Sequence, residues 1–324
     1  MFADDVTLPR VVVLGAKGFV ASRLIRMLGR HGFPCRPVGS AEVDLSNRAA
    51  AEKLKLIVRP EDAMVVAAGL TPELGRDRAT FRKNVMMIDA VCEVLEEAPC
   101  AHVVYVSSGS VYDTRCENID ESSCCESDDP YGLAHIVREK LLAGTCQSAK
   151  VGLAIIRPSA IYGAGDTHNS YGPNRFLRSA ISERKIALFG EGEEERDHIY
   201  IDDVANLIRL TLLRRRCGVM NAAHGEPLTF QEAALGIRKA VGGDVAVVME
   251  PRLAPIRHQR FDTAALRKAF PEFQPTPFET GVLNTMGVRL WGAHHKRTYA
   301  ELRIMRSTSA IVARAAIASL ISCA

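Results

Sequence analysis

The sequence predicts a doubly wound α/β protein, with a parallel sheet and a smaller, interleaved C-terminal lobe. Three features of the chain carry this prediction. Apolar runs rich in β-branched residues recur in the first half, as expected of strands buried on both faces. Segments with apolar residues at helical spacing separate these runs, which is the order of βαβ units. A glycine-rich turn, "GAKG", joins the first predicted strand to the first predicted helix.

The predicted elements alternate along the first half. "RVVVLG" (10–15) is a β-branched strand, and "GFVASRLIRMLGRHG" (18–32) places its apolar residues at helical spacing. The elements predicted after these are a weak strand at 35–39, a helix near 46–58, a strand at 63–69, a helix near 79–97, a strand at 102–108, a helix at 130–147 and a strand at 151–159.

The second half is less regular. A segment rich in glycine, proline and asparagine (163–174) is followed by helices and short strands to about residue 290. We predict a sheet domain at 9–162 and a smaller lobe at 163–290, with segments around 197–224 returning to the sheet domain. Residues 291–324 make a basic, alanine-rich tail, interpreted as a poorly ordered or self-docking terminus. A basic amphipathic helix that binds a membrane or a partner is the alternative.

Composition excludes several classes of function. Hydrophobic residues make up 47% and charged residues 24% of the chain, as in globular proteins. A net charge of +3 is too small to indicate nucleic acid or a membrane surface as the main partner. The nine cysteines show no metal-ligand spacing and fit reduced thiols, so we expect no metal and a cytoplasmic protein. No leader peptide and no apolar run of roughly 18 residues is present, so no integral membrane span is expected.

The glycine turn predicts a dinucleotide site. Gly15 and Gly18 let the chain turn tightly and let a pyrophosphate approach the N–H groups at the positive end of the helix. Ala21 is small enough for close packing of helix on strand. A merely structural turn is the alternative, but the turn has the strand before it and the helix after it that such a site requires.

The end of the second strand favours NADP(H) over NAD(H). An acidic residue there would bind the ribose 2′-OH of NAD, but the strand ends in "PVGS", with Ser40 and no carboxylate. Lys17 in the glycine turn and Arg36 are cations that could meet a 2′-phosphate. In the alternative, Lys17 is a solvated lysine, and Asp44 or the backbone binds the ribose.

Five motifs carry a family resemblance. "GAKGFVA", "SSGSVY", "PYGLAH", "IIRPSAIYG" and "ERDHIYIDDVA" occur in the order found in extended short-chain dehydrogenase/reductases. Within that family the chain resembles the NAD-dependent nucleotide-sugar epimerases, dehydratases and reductases, over roughly residues 9–288. The resemblance implies an oxidoreductase or isomerase, an NAD(P)-binding Rossmann domain at 9–162, a substrate-binding lobe at 163–290, a nucleotide-sugar substrate and a homodimer.

The resemblance also implies a catalytic set. Ser108 matches the serine of the family and Tyr131 its tyrosine, so Tyr131 would be the acid–base and Ser108 would hydrogen-bond the reacting oxygen. The lysine position of the family holds His135, which shares a helix face with Tyr131. Lys140, nine residues after Tyr131, lies more than two helical turns away.

Histidine is mostly neutral at pH 7, so its help should be smaller than that of lysine, and protonation of His135 should raise activity. Three interpretations stay open: a modified group in a working enzyme, a slow enzyme, or a fold that binds cofactor without turnover. We favour the first.

The resemblance implies the remaining site residues, together with those named above at the glycine turn and the second strand. The predicted cofactor-binding residues are Gly15, Lys17, Gly18, Phe19, Val20, Ser40, Asp44, Ala67, Ala68, Gly69, Asn84, Tyr131, His135 and Pro158. The predicted substrate-binding residues are Ser110, Asn174, Arg196 and Arg252, the two arginines facing a diphosphate. Ion pairing of Arg196 with Asp197, Asp202 or Asp203 is the alternative for that residue.

Residues that the chain lacks exclude some of the reactions that members of the family catalyse. Dehydratases of the family carry an acid pair directly after the catalytic hydroxyl residue, but Gly109 and Ser110 follow Ser108. Reductases of the family that also epimerise carbon 3 or 5 carry a cysteine near that point, where this chain has Ser110. The resemblance therefore implies a nucleotide-sugar 4-epimerase or 4-ketoreductase. The alternatives are a catalytically weak, NADP(H)-binding regulatory protein and a reductase of a non-nucleotide ketone or alcohol.

Overall fold

A computed structural model of the chain describes residues 9–252 and 254–293. The strands within these residues are β1 (Val11–Leu14), β2 (Cys35–Val38), β3 (Ala63–Val66), β4 (His102–Val106), β5 (Asn118–Ile119), β6 (Gly152–Pro158), β7 (Ala160–Tyr162), β8 (Lys185–Phe189), β9 (Glu195–Arg196), β10 (His198–Tyr200), β11 (Gly218–Ala222), β12 (Leu228–Thr229), β13 (Ala246–Glu250) and β14 (Arg260–Phe261).

The helices of the same residues surround these strands. They are α1 (Phe19–Arg30), α2 (Ala50–Lys55), α3 (Arg78–Glu97), α4 (Pro130–Ala149), α5 (Pro173–Ser182), α6 (Ile201–Leu213), α7 (Phe230–Val241), α8 (Ala264–Ala269) and α9 (Phe278–Ala293), with short 3-10 turns at Pro72–Leu74 and Gly109–Val111. None of the helices in the described part of the chain combines the length and apolar character needed to cross a membrane.

Six strands form one parallel sheet in the order β11-β6-β4-β3-β1-β2. The strand order reverses between β1 and β3, because the chain first adds β2 on one side of β1 and then β3, β4 and β6 on the other. Helices on either side of such a reversal diverge and leave a crevice at the carboxyl ends of the strands. The doubly wound α/β fold predicted from the sequence is confirmed.

Both faces of the sheet are buried, which explains the continuous apolar runs. Alternate residues of β1 point to opposite faces, so Val12 and Leu14 belong to one core cluster and Val11 and Val13 to the other. The first cluster includes residues of α2, α3 and α4, and the second includes residues of α1 and α6. Helices therefore cover each face, as a parallel sheet requires.

Small strand pairs follow the sheet in the second half. They are β7 with β10, β8 with β13, β5 with β14 and, antiparallel, β9 with β12. The chain returns to the large sheet through α6, which packs on α1, and through β11, which pairs with β6. The described residues up to Val282 cluster into one compact unit, so the division at residue 162 stays a prediction.

One predicted element is shorter in the structure, and another prediction lies mostly outside the described residues. The predicted helix near 46–58 is shorter, Ala50–Lys55, because the Asp44 and Asn47 side chains accept hydrogen bonds from the backbone N–H groups of Ser46 and Ala49 and hold turns before it. Residues 294–324 of the predicted basic tail lie outside the described residues.

Candidate active site

A cleft of about 1040 Å³ opens at the carboxyl ends of β3, β4 and β6, where the sheet reverses its strand order. Most of the predicted site residues line it: Gly18, Phe19, Val20, Ala67, Ala68, Gly69, Ser108, Ser110, Tyr131, His135, Pro158, Asn174, Arg196 and Arg252. Five predicted cofactor residues are outside this lining, namely Gly15, Lys17, Ser40, Asp44 and Asn84.

The glycine turn packs against the loop that follows β3. Gly15 has a φ of 83°, and a Cβ there would lie 2.8 Å from the Cα and N atoms of Ala68. Only glycine lets the two loops meet so closely. Gly18 is the N-cap of α1, and no side chain caps that end of the helix. The N–H groups of the first turn are therefore free to bind an anion, which fits a cofactor pyrophosphate.

Asn84 positions the cofactor side of the cleft rather than lining it. Its side-chain oxygen accepts a hydrogen bond of 2.8 Å from the Leu70 N–H, and its amide donates one of 2.9 Å to the Leu70 carbonyl. The side chain of Asn84 is buried on α3 and holds the loop that contains Ala68 and Gly69. The structure thus gives Asn84 a role in holding this loop, and the prediction that Asn84 binds the cofactor stays a prediction.

The residues predicted to choose the cofactor lie around the end of β2. Lys17 and Ser40 are exposed beside the glycine turn, whose Gly15 and Ala16 N–H groups donate to the Val38 carbonyl. The carboxylate of Asp44 accepts hydrogen bonds from the backbone N–H and hydroxyl of Ser46, which lowers the pKa of Asp44.

Arg36 is already paired on the cofactor side. Its guanidinium forms an ion pair with Glu42 and donates a hydrogen bond of 2.8 Å to the Pro37 carbonyl. A 2′-phosphate would therefore compete with Glu42 for Arg36. Of the two cations predicted to meet such a phosphate, Lys17 is the better candidate.

Ser108 and Tyr131 come together at the floor of the cleft. Ser108 follows β4, and Tyr131 is the second residue of α4. A Cβ on Gly132 would lie 2.1 Å from the Ser110 carbonyl oxygen, so glycine lets the first turn of α4 lie against the segment after β4. Burial raises the pKa of Tyr131, while a hydrogen bond with the Ser108 side chain and the charge of Arg138 lower it.

His135 is buried and neutral. Its Nδ1 lies 2.6 Å from the hydroxyl of the buried Tyr105, and its ring meets the Tyr131 ring edge to face at 4.6 Å. Burial and the charge of Arg138 hold the pKa of His135 well below its usual value. The ring therefore carries no charge near neutral pH, and the expectation that protonation of His135 raises activity stays a prediction.

Arg138 also lines the cleft and was missed in the sequence. It is 1% exposed, and its Nη2 donates a hydrogen bond to the Ala68 carbonyl. The signal that could have found it is its spacing, since residues i, i+4 and i+7 of a helix share one face. Tyr131, His135 and Arg138 have that spacing.

A buried polar network lies beside the carboxyl ends of β4 and β6. Arg157 pairs with Glu139 at 2.6 Å, Ser107 donates to Glu139 at 2.5 Å, and Arg157 donates to the Tyr112 hydroxyl at 3.0 Å. Glu139 is thus fully engaged and links α4 to the ends of β4 and β6. Fully satisfied networks of this kind hold their elements in one geometry.

The two predicted diphosphate arginines share one carboxylate. Arg196 forms an ion pair with Glu194, and Arg252 lies 3.5 Å from Glu194 and 2.8 Å from Glu193.

Arg196 does not pair with its aspartate neighbours. Asp197 accepts from Ser159, His224 and Gly225, Asp202 pairs with Arg23, and Asp203 accepts from Thr276.

Aromatic rings and amides shape the rest of the substrate side. Tyr171 packs against Phe189 and Phe230, with ring centroids 4.9 and 4.6 Å away, and its hydroxyl accepts from the Phe189 N–H. Asn174 accepts from the Gly163 N–H at 3.0 Å, and the Ser110 N–H donates to the Ser108 hydroxyl at 3.1 Å. These side chains and Pro158 leave room for an extended ligand in the cleft.

Comparison with known proteins gives similarity over most of the chain. It is 25% identical to a UDP-glucose 4-epimerase of Mycolicibacterium smegmatis over 86% of this chain and 97% of that protein. It is 24% identical to a dTDP-4-dehydro-6-deoxy-D-allose reductase of Streptomyces bikiniensis over 92% of this chain and 100% of that protein.

A solved structure shares the fold. The GDP-L-fucose synthetase of Naegleria fowleri bound to NADP superposes with a TM-score of 0.77 at 16% identity, covering 92% of this chain and 98% of that one. The profile of the NAD dependent epimerase/dehydratase family matches residues 11–223. This match spans the sheet, the glycine turn and both catalytic candidates, and the protein therefore belongs to the NAD-dependent epimerase/dehydratase family.

Proposed function

We propose that the protein is an NAD(P)-dependent 4-epimerase or 4-ketoreductase of nucleotide-linked sugars. The observation that carries this proposal is that Ser108 and Tyr131 line one cleft with Gly18 of the glycine turn, where the Ser108 side chain lowers the pKa of the Tyr131 phenol against the effect of burial. The named activities of the epimerase and reductase relatives support the substrate class and the position of the reaction on the sugar.

The roles of the chain's residues follow from their chemistry. A nicotinamide cofactor, when bound, supplies or accepts the hydride. Tyr131 exchanges a proton with the sugar hydroxyl or carbonyl through its phenol oxygen, and Ser108 hydrogen-bonds the same oxygen. His135 keeps the Tyr131 ring in place through their edge-to-face contact.

The cofactor half of the proposal rests on the first turn of the sheet. Gly15, Gly18, Phe19 and Val20 would hold the pyrophosphate, and Ala67, Ala68, Gly69 and Pro158 would border the rest of the dinucleotide. NADP(H) is favoured over NAD(H) because Lys17 is exposed in the turn and Ser40 replaces an acid. Titration with both reduced cofactors tests this preference, and tighter binding of NADH would contradict it.

The substrate half rests on the two arginines. Arg196 and Arg252 would bind the diphosphate with their guanidinium groups, which match phosphate geometry. Asn174 and Ser110 would contact the sugar side. The proposal includes a homodimer formed through α3 and α4. It also places the protein in the cytoplasm, where the free thiols of Cys92 and Cys100 would stay reduced.

A thermal-shift panel of nucleotide sugars, with each nicotinamide cofactor present, tests the proposed function. A ligand at a hundred times its Kd adds about 2.7 kcal/mol of stability, so a true substrate gives a clear shift. Tyr131→Phe should keep these shifts and lose turnover. Cofactor binding without turnover would indicate a regulatory protein, and no shift with any nucleotide sugar would indicate a reductase of another ketone or alcohol.

A further inference from the structure

We infer that Arg138 supplies the fixed positive charge beside Tyr131 that His135 does not provide. The inference deepens the proposed function, on which its catalytic part rests. Tyr131, His135 and Arg138 follow one another along a single face of α4, and all three line the cleft. The lysine position of the family is held here by His135, and Arg138 lies about one helical turn beyond it on α4.

The structure holds the guanidinium of Arg138 between α4 and the loop after β3. Nη2 donates to the Ala68 carbonyl, and the guanidinium carbon lies 5.1 Å from the centre of the Tyr105 ring. A Cβ on Gly69 would lie 2.9 Å from Nη1, so a side chain at position 69 would displace the guanidinium. Arg138 therefore has a fixed place in the wall of the cofactor side of the cleft.

The charge of Arg138 is not neutralised within the described residues, where no carboxylate forms an ion pair with it. Its neighbour Glu139 is committed to Arg157 and Ser107. The Nε of Arg138 is buried and has no hydrogen-bond partner in the part of the chain that the structure describes. A buried cation without a counter-ion is costly, and it stabilises an anion that forms nearby. The Tyr131 phenolate is such an anion.

The electrostatics of the site agree with this placement. Burial raises the pKa of Tyr131, and the charge of Arg138 acts against that rise; burial lowers the pKa of His135, and the charge of Arg138 lowers it further. The other groups that act on Tyr131 are Ser108 after β4, which lowers its pKa, and the carboxylates Glu73 and Asp129, which raise it. A guanidinium stays charged throughout the working pH range, so this support for Tyr131 does not titrate.

Titration of the Tyr131 phenol in the full chain tests the inference without cofactor or substrate. The ultraviolet absorbance of the phenolate is followed against pH, and the curve of the same protein carrying Tyr131→Phe is subtracted. Arg138→Met should move the titration of Tyr131 to higher pH, and Arg138→Lys should leave it near that of the parent. Glu73→Gln, which removes a nearby negative charge, should move it to lower pH.

A charge exchange separates electrostatics from packing. His135→Lys combined with Arg138→Met restores a cation one turn earlier and should bring the titration of Tyr131 back toward the parent value. If Arg138→Met does not fold, Arg138→Gln replaces it, since glutamine keeps a donor for the Ala68 carbonyl without the charge. Unchanged titration of Tyr131 in the folded neutral variant would overturn the inference.

Turnover gives the second readout. Arg138→Met should lose on the order of 10²-fold in kcat at pH 7, within the range that general acid–base catalysis contributes, and less at higher pH. Arg138→Lys and the charge exchange should recover most of that loss. If the parent turns over no nucleotide sugar, the proposed function fails, while the phenol titration still decides whether Arg138 acts on Tyr131.

Discussion

At the scale of one residue, we expect burial of His198 to make the folded chain sensitive to acid. It is buried at the substrate side of the cleft, and neither ring nitrogen has a hydrogen-bond partner among the described residues. Burial, aided by the charges of Arg196 and His224, lowers its pKa to about 3. Its neighbours are aromatic, with the rings of Phe230 and Phe278 at 5.9 and 6.3 Å.

We predict that the His198→Phe variant loses less stability in acid than the parent does. Because the folded pKa is depressed, the stabilisation by neutral His198 is complete above pH 6.5 and is lost as pH falls toward about 3. In that window the unfolded chain binds one more proton, which changes the unfolding free energy by about 1.4 kcal/mol per pH unit. Phenylalanine removes the proton and suits the aromatic surroundings.

Denaturant unfolding at several pH values measures the effect of His198→Phe. The slope of unfolding free energy against pH should become shallower by about one proton between pH 6 and 4. Exposed His31 provides the control, and His31→Gln should leave the slope unchanged. A parent-like slope for His198→Phe would show that His198 does not cause the acid sensitivity.

Single residues show which parts of the site could be predicted from sequence. The spacing of Tyr131 and His135 is local, so a helix places both on one face whatever surrounds them. The charge state of His135 is not local, because it depends on burial and on the hydroxyl of Tyr105, which comes from another strand. The same limit applies to Asn84, whose partner Leu70 lies 14 residues away.

At the scale of elements, the first turn of α4 depends on a close approach. A Cβ on Gly132 would meet the Ser110 carbonyl oxygen at 2.1 Å and the Ser127 hydroxyl oxygen at 2.2 Å. Gly144, on the same helix, is exposed, and among the described residues beyond its own stretch of helix no atom lies within 4 Å of the same point. The two glycines of α4 therefore offer a matched pair.

We predict that Gly132→Ala destabilises the protein and reduces turnover, and that Gly144→Ala does neither. The added methyl group at 132 pushes α4 away from the segment after β4, at a cost of about 1–3 kcal/mol, and separates Tyr131 from Ser108. Alanine at 144 gains up to about 1 kcal/mol of helix propensity. Thermal unfolding and kcat measure both effects, and equal behaviour of the two variants would contradict the close approach at Gly132.

Between β8 and β9, the carboxylate of Glu194 offsets the positive charge of the two arginines on the substrate side of the cleft. It pairs with Arg196 and lies 3.5 Å from Arg252, so a diphosphate must displace its carboxylate to reach the two guanidinium groups. Exposed Glu191 in the same segment has no ion pair among the described residues and serves as the comparison.

We predict that Glu194→Gln binds a nucleoside diphosphate about tenfold more tightly, which corresponds to about 1.4 kcal/mol. Glutamine removes the negative charge and keeps a hydrogen-bonding group beside Arg196. Calorimetric titration with UDP and with dTDP measures the change, and Glu191→Gln should bind as the parent does. Affinity unchanged by Glu194→Gln would mean that the diphosphate does not bind between the arginines.

The elements themselves were predictable to different degrees. β1 and β3 are apolar throughout, and β4 and β6 are mostly apolar, with His102 and Arg157 as their polar residues. Both faces of the sheet are covered, and this pattern is visible in the sequence. Strands of two residues, such as Glu195–Arg196, contain too few positions to show a period. They form because a partner strand from elsewhere in the chain pairs with them.

At the scale of the whole molecule, α4 carries two different surfaces. Tyr131, His135 and Arg138 face the cleft, while Leu133 and Leu141 are 43% and 39% exposed, with the partly buried Val137 between them in sequence. Exposed leucines at i and i+8 on a long helix leave apolar surface in contact with water. In the proposed homodimer, this second surface would lie in the interface, where α3 and α4 of each subunit would pack together around a two-fold axis.

We predict that Leu133→Asp combined with Leu141→Asp converts a dimer into a monomer. In a two-fold interface each substitution enters twice, so the double variant places four carboxylates in one apolar contact, and burying unpaired charges there is costly. Light scattering after size-exclusion chromatography measures the mass. Leu56→Asp, which changes a leucine that is 89% exposed beside α2, should leave the mass unchanged. Because the cleft is built within one chain, the monomer should still bind cofactor, and a parent chain that is already monomeric would refute the proposed dimer.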